Sequence, residues 1–178
     1  MTGVLEMVSN MLDEGMPLPK KLINWAASSV FLLNWELHER KEYYYIGRFI
    51  ERAKAIHGKT TQLYTRSSLT QIMREHEIIK NLLEDIQKSA NKYDIDKRKT
   101  SVQLKNDISR YTTMIRFHAA REEDVFLPFT QRYFTEDDII KIMADFKKVE
   151  DKIGTEKIES RMETIQQLET ILQIKEIN

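Results

Sequence analysis

The stretch ISRYTTMIRFHAAREEDV, Ile108–Val125, decides the fold. Ile108, Tyr111, Ile115, His118, Glu122 and Val125 recur at steps of three, four, three, four and three, so all six share one side of an α-helix. A strand would alternate with period two. The stripe is apolar at both ends, yet it carries an imidazole and a carboxylate in its middle.

Two other stretches repeat the pattern. Leu69, Ile72, His76, Ile79, Leu83 and Ile86 form one stripe, and Phe31, Trp35, His38, Glu42 and Tyr45 form another. Each has the spacing of a core-facing bundle helix. The expectation is an all-α protein, an up-down four-helix bundle with additional C-terminal helices, forming one domain over residues 1–178. Its core bundle spans about 19–133 and its C-terminal helices about 135–174.

Local signals place the helix ends. A short first helix over 2–14 stops at Gly15, with Pro17 and Pro19 beyond it. A second helix starts near Pro19 and runs to about Tyr45, with Gly47 as a kink or stop, and 48–57 continues to Gly58. Ser67 and Ser68 cap a third helix that runs to about Asn91. Residues 91–100, with Lys97, Arg98 and Lys99, read as a surface loop. A fourth helix covers 101–126 and ends at Pro128. Thr135 with Asp138 forms a capping box opening a fifth helix to about Ile153, and after Gly154 a last helix runs to Ile174.

Composition narrows the function classes. Lysine plus arginine and aspartate plus glutamate each total 28, giving a formal net charge of zero, against the basic excess of a nucleic-acid binder. Without cysteine there is no disulfide, thiolate ligand or thiol nucleophile, which fits a reducing, cytoplasmic home. The most apolar run, Trp25 to Leu33, is interrupted by Ser28 and Ser29 and is too short to span a bilayer. The N-terminus lacks a signal-peptide pattern.

The chemistry lies in the interrupted stripes. His38 precedes Glu42, and His118 precedes Glu122, by four residues, which places each pair on one helix face a turn apart. With His76, three imidazoles and two carboxylates stand where Leu or Ile would normally be. A buried carboxylate costs several kcal/mol unless a cation compensates it. Nitrogen and oxygen donors without sulfur suit iron or manganese, with zinc also open. A single H-x-x-x-E is more often a surface pair; the shared registers favour metal here. His57 fails this test, because Thr61 lies four residues on and Gly58 follows it. Tyr45 and Tyr111 fall on the same stripes as candidate donors behind the ligands. Neither a serine triad nor a glycine-rich phosphate loop is found, so no catalytic residue is assigned.

The segment His118-Ala119-Ala120-Arg121-Glu122-Glu123-Asp124-Val125-Phe126-Leu127-Pro128 resembles the H-x-x-K-E-E-D-x-L-F-P motif of hemerythrin-like, or HHE cation-binding, domains. Met73-Arg74-Glu75-His76-Glu77 is similar to that family's M-x-x-E-H-E, and His38-Glu39-Arg40-Lys41-Glu42 to its H-x-K-E-E region. The resemblance implies a bundle holding non-haem iron: two ions by the family's pattern, one as the alternative. It further implies a small diatomic partner such as dioxygen or nitric oxide, or iron handling. Carried over, His38, Glu42, His76, His118 and Glu122 match ligand positions, and Glu39 matches a carboxylate ligand of one branch. The first-helix histidine of the family has no counterpart here. The expectation is a start upstream of Met1 or a lost ligand, with Glu150 and Asp151 as substitutes. The rival readings are a metal-free bundle serving as a structural or interaction module and, ranked lower, a ferritin-like oxidase, whose Glu-x-x-His pairs run in the opposite order.

Overall fold

The computed structural model describes the backbone of residues 3–58 and 61–177, and the side chains of 3–56, 58 and 69–173. Among the described residues there are helices and no strand. They are α1 (Gly3–Asp13), α2 (Lys20–Phe31), a π-helical segment (Leu32–Glu39), α3 (Arg40–His57), α4 (Thr61–Lys92), α5 (Arg98–Tyr133), α6 (Glu136–Ile153) and α7 (Thr155–Ile177). No helix among the described residues is long and apolar enough to cross a membrane.

The longest interface joins α4 and α5. α2 packs on α4, α1 on α5, and α7 on both α1 and α2, while α3 is covered by α6. Both the α4 and α5 stripes read from the sequence face inward, and Leu69, Ile72, Ile79, Leu83, Ile86, Ile108, Tyr111 and Ile115 are buried.

α2, the π-segment and α3 form one unbroken rod, and here the register departs from the expected stripe. Besides Ser29, Leu32 and Leu33, one buried row runs through Val30, Asn34, Glu39, Glu42, Ile46, Phe49 and Ala53. Their steps are three or four, except for the five from Asn34 to Glu39. A π turn, with its i→i+5 bonding, supplies that wider step. It carries His38 outward and Glu39 inward, whereas the α-helical register had put His38 on the buried stripe.

Three helix ends also differ. The third helix was expected to begin after Ser67 and Ser68, but α4 already includes them, so neither is its cap. α5 starts at Arg98, inside the expected loop, and passes through Pro128 to Tyr133. Tertiary contacts override the proline there. Thr130 and Tyr45 both donate to the Phe126 carbonyl, at 2.8 and 3.3 Å, and Arg52 Nε donates to the Tyr133 carbonyl at 2.9 Å. The rings of Phe126 and Phe129 also pack on Phe49. Gly47 neither ends nor interrupts α3.

The Thr135–Asp138 capping box forms in full. α6 is then pinned to α3 by Lys41–Glu150 at 2.6 Å, Arg48–Asp145 at 3.7 Å and Arg52–Asp138 at 3.3 Å.

The apolar interior is divided. One cluster runs along α1, α2, α4, α5 and α7 and includes Leu5, Ile23, Leu33, Ile79, Ile115 and Leu168. A second holds Ile46, Phe49, Ala53, Leu69, Ile72 and Phe126. On the rod, on α4 and on α5 alike, the gap between the clusters falls at Asn34–Glu42, at Glu75 and His76, and at His118–Glu122. A polar layer crosses the bundle there.

Candidate metal centre

Glu39 and Glu42, three residues apart where the π-segment passes into α3, project inward from the rod. α4 supplies His76 from the middle of its buried stripe, and α5 supplies His118 and Glu122 one turn apart. Glu39, His76 and His118 are fully buried, and Glu42 nearly so. One ligand atom from each of Glu39, Glu42, His76 and His118 lies within 4.8 Å of all the others, a group that could hold a metal ion.

The contacts inside the group are close. His76 Nε2 lies 3.2 Å from Glu39 Oε2, 3.2 Å from Glu42 Oε2 and 3.8 Å from Glu122 Oε1. His118 Nε2 is 2.5 Å from Glu122 Oε1 and 4.0 Å from Glu39 Oε1. None of these contacts is aligned as a hydrogen bond: both oxygens of Glu39 and of Glu42, both ring nitrogens of His76, Nε2 of His118 and Oε1 of Glu122 are buried without a hydrogen-bond partner. Buried polar atoms normally have partners. Here one atom each of Glu39, Glu42, His76 and His118 converges on a shared space instead.

The electrostatics carry the same imprint. Burial alone would lower the His76 pKa, but close approach by Glu122 and Glu42 and the charge of Glu39 raise it to about 10. Burial lifts Glu42 to about 7, against the pull of His76. Burial also raises Glu39, partly offset by His76 and His118. Glu122 moves the other way: burial opposes its ionisation, and its contacts with His118 and His76 outweigh that and lower its pKa.

Of the residues expected as ligands, Glu42, His76, His118 and Glu122 come together, and Glu39 joins them fully buried. His38 does not join the buried group. It stands exposed at the mouth, where one of its nitrogens forms a second, outer group with Glu42 and Glu122, again within 4.8 Å. Tyr45, expected behind the ligands, is instead a packing residue of the second apolar cluster, its hydroxyl bonded to Thr130 and to the Phe126 carbonyl. Tyr111 lies fully buried with its hydroxyl unpartnered, and burial together with the charge of Glu39 raises its pKa. Glu150 and Asp151 are no substitutes for a lost ligand, because they pair with Lys41 and Lys147. The His57 side chain lies outside the described residues.

Two residues around the site were not singled out from the sequence. Glu75 Oε2 lies 3.2 Å from His118 Nδ1, and Glu75 Oε1 is paired with Arg121. Glu75 sits beside His76 in sequence, and a buried position predicted for it would have required knowing the tilt of α4 against α5. Tyr43, exposed, sets its ring edge against His76 with centroids 5.7 Å apart.

No family model, no curated protein and no solved structure matches this chain.

Proposed function

We propose that this protein is a non-haem iron protein of hemerythrin type, an up-down bundle whose polar layer binds iron and, through it, a small diatomic such as dioxygen or nitric oxide. One observation carries the reading. Eight buried polar atoms on five side chains from three helices lack a hydrogen-bond partner, and one ligand atom each of Glu39, Glu42, His76 and His118 lies within 4.8 Å of the others. A divalent cation satisfies such a set at once, whereas a protein without one bears the cost of every unpaired group.

Oxygen and imidazole donors without sulfur favour iron or manganese over softer ions. Glu39, Glu42, His76 and His118 would hold one ion, with Glu122 within reach. Glu42 and Glu122 also face His38, so a second ion at the mouth would share them. Bound iron supplies reversible electron exchange with a diatomic ligand. The chain's own part is to hold the donors in place, to keep water out through the apolar clusters above and below, and to release the proton on His76 when the ion arrives.

A second reading has its own observation. With a pKa of about 10, protonated His76 is itself a cation among the acids. A metal-free bundle serving as a structural or interaction module would rely on it. Elemental analysis of protein purified without chelator, with an ultraviolet-visible spectrum before and after air exposure, separates the two. Stoichiometric iron, lost in His118→Ala and retained in His57→Ala, supports the metal centre. Protein free of metal that also takes up none when supplied with it refutes the centre.

A further inference from the structure

Glu75 stands behind His118, on the side of the imidazole away from the donor cluster. Its Oε2 is 3.2 Å from Nδ1, while Nε2 across the ring faces Glu122 at 2.5 Å. The other Glu75 oxygen is paired with Arg121, and the carboxylate is buried. A carboxylate engaged by a guanidinium is an acceptor, so the ring atom opposite it must be an N–H. In imidazole, the bond made by one nitrogen decides the state of the other.

We propose that Glu75, anchored by Arg121, is a positioning residue that keeps the proton of His118 on Nδ1 and turns the Nε2 lone pair toward the metal. The proposal rests on the metal centre argued above. It makes the two histidines unequal. His118 is oriented before any ion arrives, whereas Nδ1 of His76 is buried without a partner, so His76 takes its orientation from the ion. The device links two helices. Glu75 lies on α4 next to the ligand His76, and Arg121 lies on α5 between His118 and Glu122, so the α4–α5 interface and the ligand geometry are set together.

The test uses the full chain with zinc as a diamagnetic probe, comparing wild type with Glu75→Leu, Glu75→Gln and Arg121→Met. Affinity is read by competition with a chromophoric chelator, and the His118 tautomer by nitrogen-15 NMR of the ring, with and without zinc. Glu75→Leu should weaken zinc binding by about 10- to 100-fold, the range for lost partners of metal-bound histidines. Glu75→Gln, which keeps an acceptor oxygen in the same place, should recover part of that loss. With zinc bound, wild type should ligate through Nε2 with the proton on Nδ1, and Glu75→Leu should show a mixture of Nε2 and Nδ1 ligation. A Glu75→Leu protein that binds zinc like wild type with an unchanged tautomer overturns the proposal. If Glu75→Leu does not fold, the isosteric Glu75→Gln and the partly exposed Arg121→Met decide: wild-type affinity in both overturns it. Wild type that binds no metal, whatever its tautomer, refutes the metal centre itself and reduces Glu75 to a packing partner of His118.

Discussion

Replacing Glu39 by glutamine should move metal affinity and metal-free stability in opposite directions. The side chain is fully buried, both its oxygens lack hydrogen-bond partners, and burial raises its pKa. Without metal, folding therefore disfavours the charged form of this side chain. An uncharged isostere leaves an unpaired amide but removes the charge, and the excess cost of burying the charged over the neutral group is about 1–3 kcal/mol. For a chain of this size, 1 kcal/mol corresponds to roughly 2–4 °C in melting temperature. Metal-free Glu39→Gln should thus melt about 2–10 °C above wild type at neutral pH.

With metal the sign reverses. Loss of a carboxylate ligand should exceed the roughly 10- to 100-fold effect of losing a partner behind a ligand. A weakening of at least about 100-fold corresponds to about 2.7 kcal/mol. His38→Gln is the control, because His38 is itself exposed and belongs only to the outer group with Glu42 and Glu122. It should leave the tightest binding event within a few-fold of wild type and diminish only a weaker second one. Isothermal titration with manganese or zinc, alongside differential scanning calorimetry of the chelated proteins, reads both effects. The opposite ranking, with His38→Gln abolishing tight uptake and Glu39→Gln sparing it, would refute the five-residue step on which the reasoning stands.

The metal-free protein should lose stability as pH rises from about 4.5 to 10. Folding raises Glu42 from 4.5 to about 7 and His76 from 6.5 to about 10, and a raised group contributes stability that is complete below its unfolded pKa and lost through its folded one. Metal-loaded protein should show a much flatter melting profile over that interval, since the ion takes the proton's place; parallel profiles would contradict this. Thr135→Ala should cost about 1 kcal/mol by opening the capping box of α6, seen as a lower denaturant midpoint at unchanged slope. Pro128→Ala should stabilise by up to about 3 kcal/mol, because α5 is helical through this position; a fall in melting temperature would instead assign the proline a role in placing Phe126 and Phe129.

The helical class, the buried faces of α4 and α5, and four of the five buried donors were legible in the chain because they follow regular α periodicity. His76, His118 and Glu122 were found by treating a stripe as a straight 3.6-residue helix. On the second stripe the same rule found Glu42 but put His38 on the buried face. There the backbone leaves the α-helix for eight residues, and periodicity cannot report a change in its own period. Glu39 was reached only through resemblance. Tyr45 lay on the expected stripe but beyond the π turn, where the register has shifted by one and the side chain meets the second apolar cluster. Pro128 misled for a related reason: its local penalty is real, but contacts made far away in sequence offset it. Glu75 and Arg121 were invisible because their pairing depends on how α4 faces α5.

Ser29 and Tyr111 apart, the unpaired polar atoms and the irregular backbone fall in one layer. Elsewhere the bundle agrees with itself: apolar stripes face inward, the α6 cap forms, and charges on α3 meet charges on α6. A continuous α-helix from Lys20 to His57 would give better hydrogen-bond geometry than the π-segment and would send Glu39 to the surface, removing a buried acid as well. The chain departs from both economies at the same residues, and at the same level where α4 and α5 carry His76, His118 and Glu122. Costs on three helices meeting in one layer are what a functional site would impose, since local and global preferences conflict where binding requires them to. A packing defect would scatter such costs, or relieve one at the expense of the other. Here the backbone distortion turns one carboxylate toward two imidazoles and carries His38 away from them.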